Sequence, residues 1–157
     1  CAPDVTDRVF AAFKRHYAEN CMVLTRPYPG IPEMLDALKA RGWQLGVVSN
    51  KADEPVKALI AHYFPGVFDS VVGERENVRK KPVPDSVFET VGSLGCDIGQ
   101  AVYIGDSDVD GQTAANAGCD CILVSWGFRG RETLLPFGCP IADSTDELLS
   151  ILTEGEK

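Results

Sequence analysis

Apolar positions near the start of the chain recur at helical spacing. Val5, Val9, Phe10, Phe13 and Tyr17 fall on one stripe of a helix predicted over 4–19, and such a stripe needs a surface to pack on. Tyr28-Pro29-Gly30 then breaks the chain. Pro32 pre-sets the first turn of a second helix whose Met34, Leu35 and Leu38 share a face until Gly42 stops it. A buried strand is predicted over 44–49. From there the pattern alternates: helix 52–64, strand 69–73, helix 84–94, strand 101–105, helix 110–117, strand 121–125 and helix 145–152.

Strand and helix taking turns predict an α/β fold, a mostly parallel sheet with helices on both faces. Gly95 and Gly118 stand where left-handed helix caps belong, and Thr145 or Asp146 can accept from the free amides that open the last helix. Residues 1–25 read as a separate all-helical unit, joined at 26–30 to an α/β unit that takes the remaining residues, 26–157. Neither a repeat nor a low-complexity tract interrupts the pattern.

Composition narrows the function classes. With 157 residues, 45% of them apolar, the chain is long enough for one real core. Its 15 basic against 23 acidic residues give a net charge of −8, which repels nucleic-acid backbones and anionic lipid surfaces. No apolar run approaches the roughly 18 residues of a membrane span, and Asp4, Asp7 and Arg8 do not form a signal-peptide core, so a cytoplasmic protein is the expectation. Six cysteines, Cys1, Cys21, Cys96, Cys119, Cys121 and Cys139, are scattered through core-forming sequence and read as reduced thiols. Cys119-x-Cys121 supplies at most half a zinc site.

Candidate chemistry collects at strand ends. The run Tyr103-Ile104-Gly105-Asp106-Ser107-Asp108-Val109-Asp110 ends an apolar strand on a glycine and then spaces Asp106 and Asp110 four residues apart. That spacing allows two carboxylates to converge on one hard cation such as magnesium, Asp106 directly and Asp110 directly or through water. Asp110 is also suited to capping the helix that follows. Ser49 and Asn50 offer a hydroxyl and a backbone amide to phosphoryl oxygens, and both are equally at home in an ordinary turn. Lys81, held extended by Pro82, either neutralises a bound phosphate or belongs with Arg79 and Lys80 to a solvated basic patch. Three cations before a helix are locally unfavourable unless an anion sits nearby. His16 and His62 lie on helices without a second ligand at metal spacing. Trp126-Gly127-Phe128-Arg129-Gly130 is an aromatic loop that either touches a ligand or anchors to the core.

Taken in order, 45–50, Lys81-Pro82 and 105–110 resemble the haloacid dehalogenase superfamily of phosphohydrolases, and the likeness extends over 28–152. Within it, Tyr28-Pro29-Gly30, Val48-Ser49-Asn50-Lys51, Lys80-Lys81-Pro82-Val83-Pro84-Asp85 and Gly105-Asp106-Ser107 are most similar to phosphoglycolate phosphatases. The resemblance implies a Rossmann-like core with a helical cap, of which 1–25 would be a remnant. It implies that Ser49, Asn50 and Lys81 bind the phosphoryl group, that Lys81 and Asp106 are catalytic, and that Asp106 and Asp110 hold Mg2+. The substrate implied is a small phosphorylated metabolite, hydrolysed through a phosphoaspartate.

The family's first motif, an Asp-x-Asp-Gly-Thr turn that carries the attacking aspartate, is absent before Tyr28. The expectation is therefore a fragment, inactive by itself, that lacks the family's first strand between the strands of Val48 and Ile104. Three compensations follow from that gap: direct pairing of the flanking strands, self-association by strand exchange, or a separate piece in the slot. Two readings compete with the truncated enzyme. One is a non-catalytic phosphate- and metal-binding module; the other is a receiver domain, disfavoured because Lys81 precedes the Asp106 strand.

Overall fold

The computed structural model describes residues 3–154. Cys1 lies outside them. Helix α1 (Pro3–Asn20) leads through a loop to α2 (Ile31–Ala40), after which strands and helices alternate. They are β1 (Gly46–Ala52), α3 (Asp53–Tyr63), β2 (Ser70–Glu74), α4 (Asp85–Leu94), β3 (Val102–Gly105), α5 (Asp108–Ala117), β4 (Asp120–Val124), α6 (Arg131–Leu134), β5 (Ile141–Ala142) and α7 (Thr145–Glu154). Each long element predicted from the apolar pattern is present, with ends displaced by a few residues. β5 and α6 were not predicted, because two and four residues are too few to display a period.

Every strand pairing is parallel, as alternation requires. The alternating side chains of the strands divide the core into layers. On β4, Ile122 and Val124 point to Met34, Leu35 and Leu38 of α2 and to Leu148 and Leu152 of α7. Leu123 points the other way, to Leu134 of α6 and to Ile141. Tyr103 of β3 joins Val87 and Val91 of α4 and Ala114 and Ala117 of α5.

The strands form two sheets rather than one: β1 with β2, and β3 with β4 and β5. β1 and β3 do not pair, so the first of the three expected compensations is not what the chain adopts. Their unpaired edges border a cavity of about 830 Å³, lined by Val47 and Val48 on one side and 102–105 on the other. Leu38, Val87 and Val91 close it above and below, and Lys81, Asp106 and Asp110 line it as well.

Two local expectations change. The α1 stripe does not enter the core: Val5, Val9, Phe10 and Phe13 are all exposed, with Phe13 stacked on Tyr17 of the same helix at 5.7 Å. Tyr17 alone among the stripe reaches the core, through Lys51. The last helix is capped one residue earlier than predicted, by Ser144, whose hydroxyl accepts from the Glu147 amide at 3.2 Å while the Glu147 carboxylate accepts from the Asp143 amide at 2.7 Å. Thr145 is occupied instead under Gly30, where φ is 80° and a Cβ would overlap the threonine side chain. Gly95 and Gly118 take the left-handed caps expected of them, with φ of 69° and 74°.

Candidate active site

The end of β3 is assembled almost entirely from its own sequence. Gly105 has no room for a side chain, since a Cβ there would overlap the Asp110 carboxyl group. Ser107 caps α5, so the capping that Asp110 was suited to falls to its neighbour. The serine hydroxyl in turn donates to Asp110 Oδ2 at 2.6 Å, and the Asp106 amide donates to the same oxygen at 3.2 Å. Asp110 Oδ1 accepts from Lys81 Nζ at 2.7 Å and from the Tyr103 hydroxyl at 3.0 Å.

A buried carboxylate thus carries four donors, two on each oxygen. Burial opposes its ionisation, but the charge and hydrogen bond of Lys81, with the hydroxyls of Ser107 and Tyr103, outweigh it and hold the Asp110 pKa below its ordinary value. Burial and the same carboxylate push the Tyr103 phenol far up, so it stays protonated and donates. Tyr103 is a site residue that the apolar run concealed, because a tyrosine within a strand reads as core. Ser107 was more legible: a serine before a helix is a capping signal.

Each cation of the 79–81 run has its own carboxylate. Arg79 Nε meets Asp85 at 2.7 Å, Lys80 Nζ meets Glu74 at 3.1 Å, and Lys81 meets Asp110. The anion that the run required is therefore Asp85 at the start of α4. Lys81 is the member turned inward, part-buried between Asp110 and Tyr103, and its bond to Pro82 is cis.

The end of β1 is built differently. Opposite β2 the register jumps from Val48↔Val72 to Ala52↔Glu74, so Ser49, Asn50 and Lys51 bulge out against Gly73 alone. Gly73 is required there, because a Cβ would overlap the Asp53 backbone and the Lys51 carbonyl. Asn50 turns to the Lys81 loop: its Oδ1 accepts from the Lys81 amide at 2.7 Å and its Nδ2 donates to the Lys81 carbonyl at 3.2 Å. Ser49 Oγ accepts from the Lys51 amide at 3.1 Å, leaving its own hydroxyl hydrogen uncommitted to the described residues. Lys51 donates to the Tyr17 hydroxyl on α1.

The loop after β4 grips Asp106. The Phe128 amide donates to Asp106 Oδ2 at 2.5 Å and the Arg129 amide to the Asp106 carbonyl at 3.2 Å. Gly127 passes so close that a Cβ would overlap the carboxylate. Trp126 packs on the core while Phe128 is exposed, so the aromatic loop anchors at one end and holds an acid at the other.

The structure therefore brings together Lys81, Asp110, Asn50 and the backbone of Asp106, with Ser49 at the adjoining bulge. Among the described residues no three His, Cys, Asp or Glu side chains group to enclose a metal. Asp106 Oδ1, however, has no hydrogen-bond partner among them, and one free carboxylate oxygen suits magnesium, which keeps several waters and takes few protein ligands. His16 and His62 are exposed and distant from this arrangement in sequence and contact. No disulfide links the five described cysteines, and burial pushes the Cys121 thiol up to about 12. No described helix is long and apolar enough to cross a membrane.

Residues 3–124 match the haloacid dehalogenase-like hydrolase family. A phosphoglycolate phosphatase of Aquifex aeolicus is 39% identical over 125 residues, 79% of this chain and 59% of its own length. A crystal structure from Lactobacillus delbrueckii subsp. bulgaricus, assigned to phosphoglycolate phosphatase, superposes with a TM-score of 0.90 at 41% identity, over 96% of this chain and 64% of that one. CbbY of Rhodobacter sphaeroides, solved in complex with xylulose-1,5-bisphosphate, gives a TM-score of 0.75 at 27% identity, over 94% of this chain and 67% of its own. The chain thus spans about three fifths of the length of the first two relatives.

Proposed function

The chain belongs to the haloacid dehalogenase-like hydrolase family, and on that premise we propose that it is the greater part of a magnesium-dependent phosphohydrolase for a small phosphate monoester. The observation that supports this best is the cavity between β1 and β3, which leads along two unpaired strand edges to Lys81, Asp106 and Asp110. A parallel strand entering it would satisfy both edges and end beside the inward lysine. In this reading 26–157 is the α/β core without its first strand, 1–25 is part of a helical cap, and the strand brings the nucleophilic aspartate.

Each residue then has a task. The Ser49 hydroxyl and the Asn50 backbone amide bind oxygens of the phosphoryl group, and the Asn50 side chain fixes the height of the Lys81 loop. Lys81, oriented by Asp110 and Tyr103, places its ammonium against the charge that develops on the phosphoryl oxygens. Asp106, held by the Phe128 amide, would hold magnesium through its free Oδ1, with Asp110 the second carboxylate of the set, directly or through water. Magnesium, when bound, offsets further charge on those oxygens. The aspartate forms a bond to phosphorus as the ester bond breaks, and water then hydrolyses the phosphoaspartate. Phosphoglycolate, for which the Aquifex relative is named, and xylulose-1,5-bisphosphate, bound by CbbY, each carry a second anionic group beyond the phosphoryl. A phosphate ester bearing a second anionic group is therefore the substrate class.

The test is phosphate release from 2-phosphoglycolate by the chain alone and by the chain supplied with a segment bearing the family's first motif. Magnesium-dependent turnover only with the segment, lost when its leading aspartate is replaced by asparagine, is the expected result. Robust turnover by the chain alone would overturn the nucleophile assignment. Tight phosphate binding with no turnover in either arm would favour the non-catalytic module.

A further inference from the structure

Among the lysines with described side chains, Lys39, Lys57, Lys80 and Lys81 each meet a carboxylate, respectively Asp69, Asp53, Glu74 and Asp110. Lys51 meets none among the described residues. Its ammonium donates to the Tyr17 hydroxyl and lies 4.4 Å from the centre of the same ring. Burial lowers its pKa, and no opposing charge restores it. In a chain of net charge −8, a part-buried cation with only a phenol for company is out of keeping with its neighbours.

Position makes this informative. Lys51 follows Asn50 on the bulge, and Asn50 holds both backbone groups of Lys81. Lys81 points inward to Asp110, whereas Lys51 leans outward to α1. Lys81 lines the cavity and Lys51 stands outside its lining, joined to the Lys81 loop through Asn50, the inner lysine neutralised by a carboxylate and the outer one by none among the described residues. A mere tether between α1 and β1 needs no charge, since a neutral donor would serve the phenol as well.

We propose that Lys51, steadied by Tyr17, is the specificity residue for the substrate's second anionic group, the one remote from the transferring phosphoryl. This rests on the phosphatase reading above. The group is a carboxylate or a second phosphoryl, which share the chemistry of an oxyanion taking a charged hydrogen bond.

Isothermal titration of the chain in Mg2+ with 2-phosphoglycolate, ethylene glycol bisphosphate and ethyl phosphate tests it. Ethyl phosphate lacks the second anion. Lys51→Met is expected to raise Kd for the first two by ~10-fold or more, to leave ethyl phosphate within ~2-fold, and Lys51→Arg is expected to restore most of the loss. The larger loss of the two names the tail as carboxylate or phosphoryl. An equal loss on all three ligands, or no loss on either ligand with a second anionic group, would overturn the proposal, as would a lowered Tm with binding unchanged. Failure of the unsubstituted chain to bind any of the three would instead sink the phosphatase reading, and the proposal with it.

Discussion

The two strand ends that face each other across the cavity solve the same problem by opposite means. At the end of β3 three local donors, the Tyr103 and Ser107 hydroxyls and the Asp106 amide, satisfy the buried Asp110 carboxylate, Gly105 leaves it room, and Lys81 is the one distant donor. At the end of β1 almost nothing is local. Asn50 reaches across 31 positions to the Lys81 backbone, Lys51 across 34 to Tyr17, and Gly73 makes room from the adjoining strand. The first end is pre-set by a short stretch of sequence and is rigid; the second is held by whatever the rest of the chain brings to it. The proposed specificity residue, Lys51, stands at the second.

Removing the Asp110 charge should have the largest effect. Asp110→Asn keeps the size of the side chain but leaves the part-buried Lys81 ammonium without its partner, and loss of one member of a buried pair costs roughly 3–5 kcal/mol. Denaturant unfolding of the variant should show that loss with an unchanged m-value. A cost under about 1 kcal/mol, the range of an exposed pair, would show that the β3 end is no more rigid than the β1 end.

Acid sharpens the same contrast. The folded pKa of Asp110 lies below its ordinary 3.8, so its contribution is complete above that value and is lost as the pH falls through the lowered native one. Asp53 on the β1 side is lowered too, by its hydrogen bond from Lys57 more than by any other favourable contact. Stability should therefore be flat near neutrality and fall below pH 3.8, and Asp110→Asn should make that fall shallower. An unchanged acid limb in the variant would mean that Asp110 does not carry the linkage.

Gly73→Ala attacks the other end. The added methyl meets backbone of Asp53 and Lys51, which cannot swing aside as a flexible side chain would, so a cost of about 1–3 kcal/mol is expected. The bulge should shift with it, weakening ethyl phosphate and 2-phosphoglycolate binding together. Unaltered stability would show the β1 end to be loose enough to move.

What the sequence disclosed follows the same division. The long elements, the left-handed glycines and the Asp106-to-Asp110 spacing all depend on residues within about one helix turn of each other, where periodicity and capping rules operate. The apolar stripe of α1 was visible, but its exposure was not, because a pattern shows a face without showing what covers it. The same limit hid Tyr103 and the task of the Asn50 side chain. An asparagine after a strand reads as a turn, and only the fold reveals that its amide matches both backbone groups of Lys81. A tyrosine in an apolar run reads as packing until its hydroxyl is found on Asp110. The division into two sheets was not foreseen: the alternation predicts one mostly parallel sheet, and nothing in the periods of β1 or β3 says that their edges are unpaired.

The smallest effect expected is the most specific. Asn50→Asp preserves the acceptor for the Lys81 amide but replaces the donor with an oxygen that faces the Lys81 carbonyl. One hydrogen bond is lost and two acceptors are opposed, at a surface position that water reaches, so about 1 kcal/mol of stability should go. The Lys81 loop would be held at one point instead of two. In the segment-supplied enzyme that freedom should lower kcat more than it raises KM, because the ammonium matters most when charge builds on the phosphoryl oxygens. If KM rises instead while kcat holds, the Asn50 side chain is serving the bound ester rather than the lysine loop, and the β1 end has a direct hand in ground-state binding.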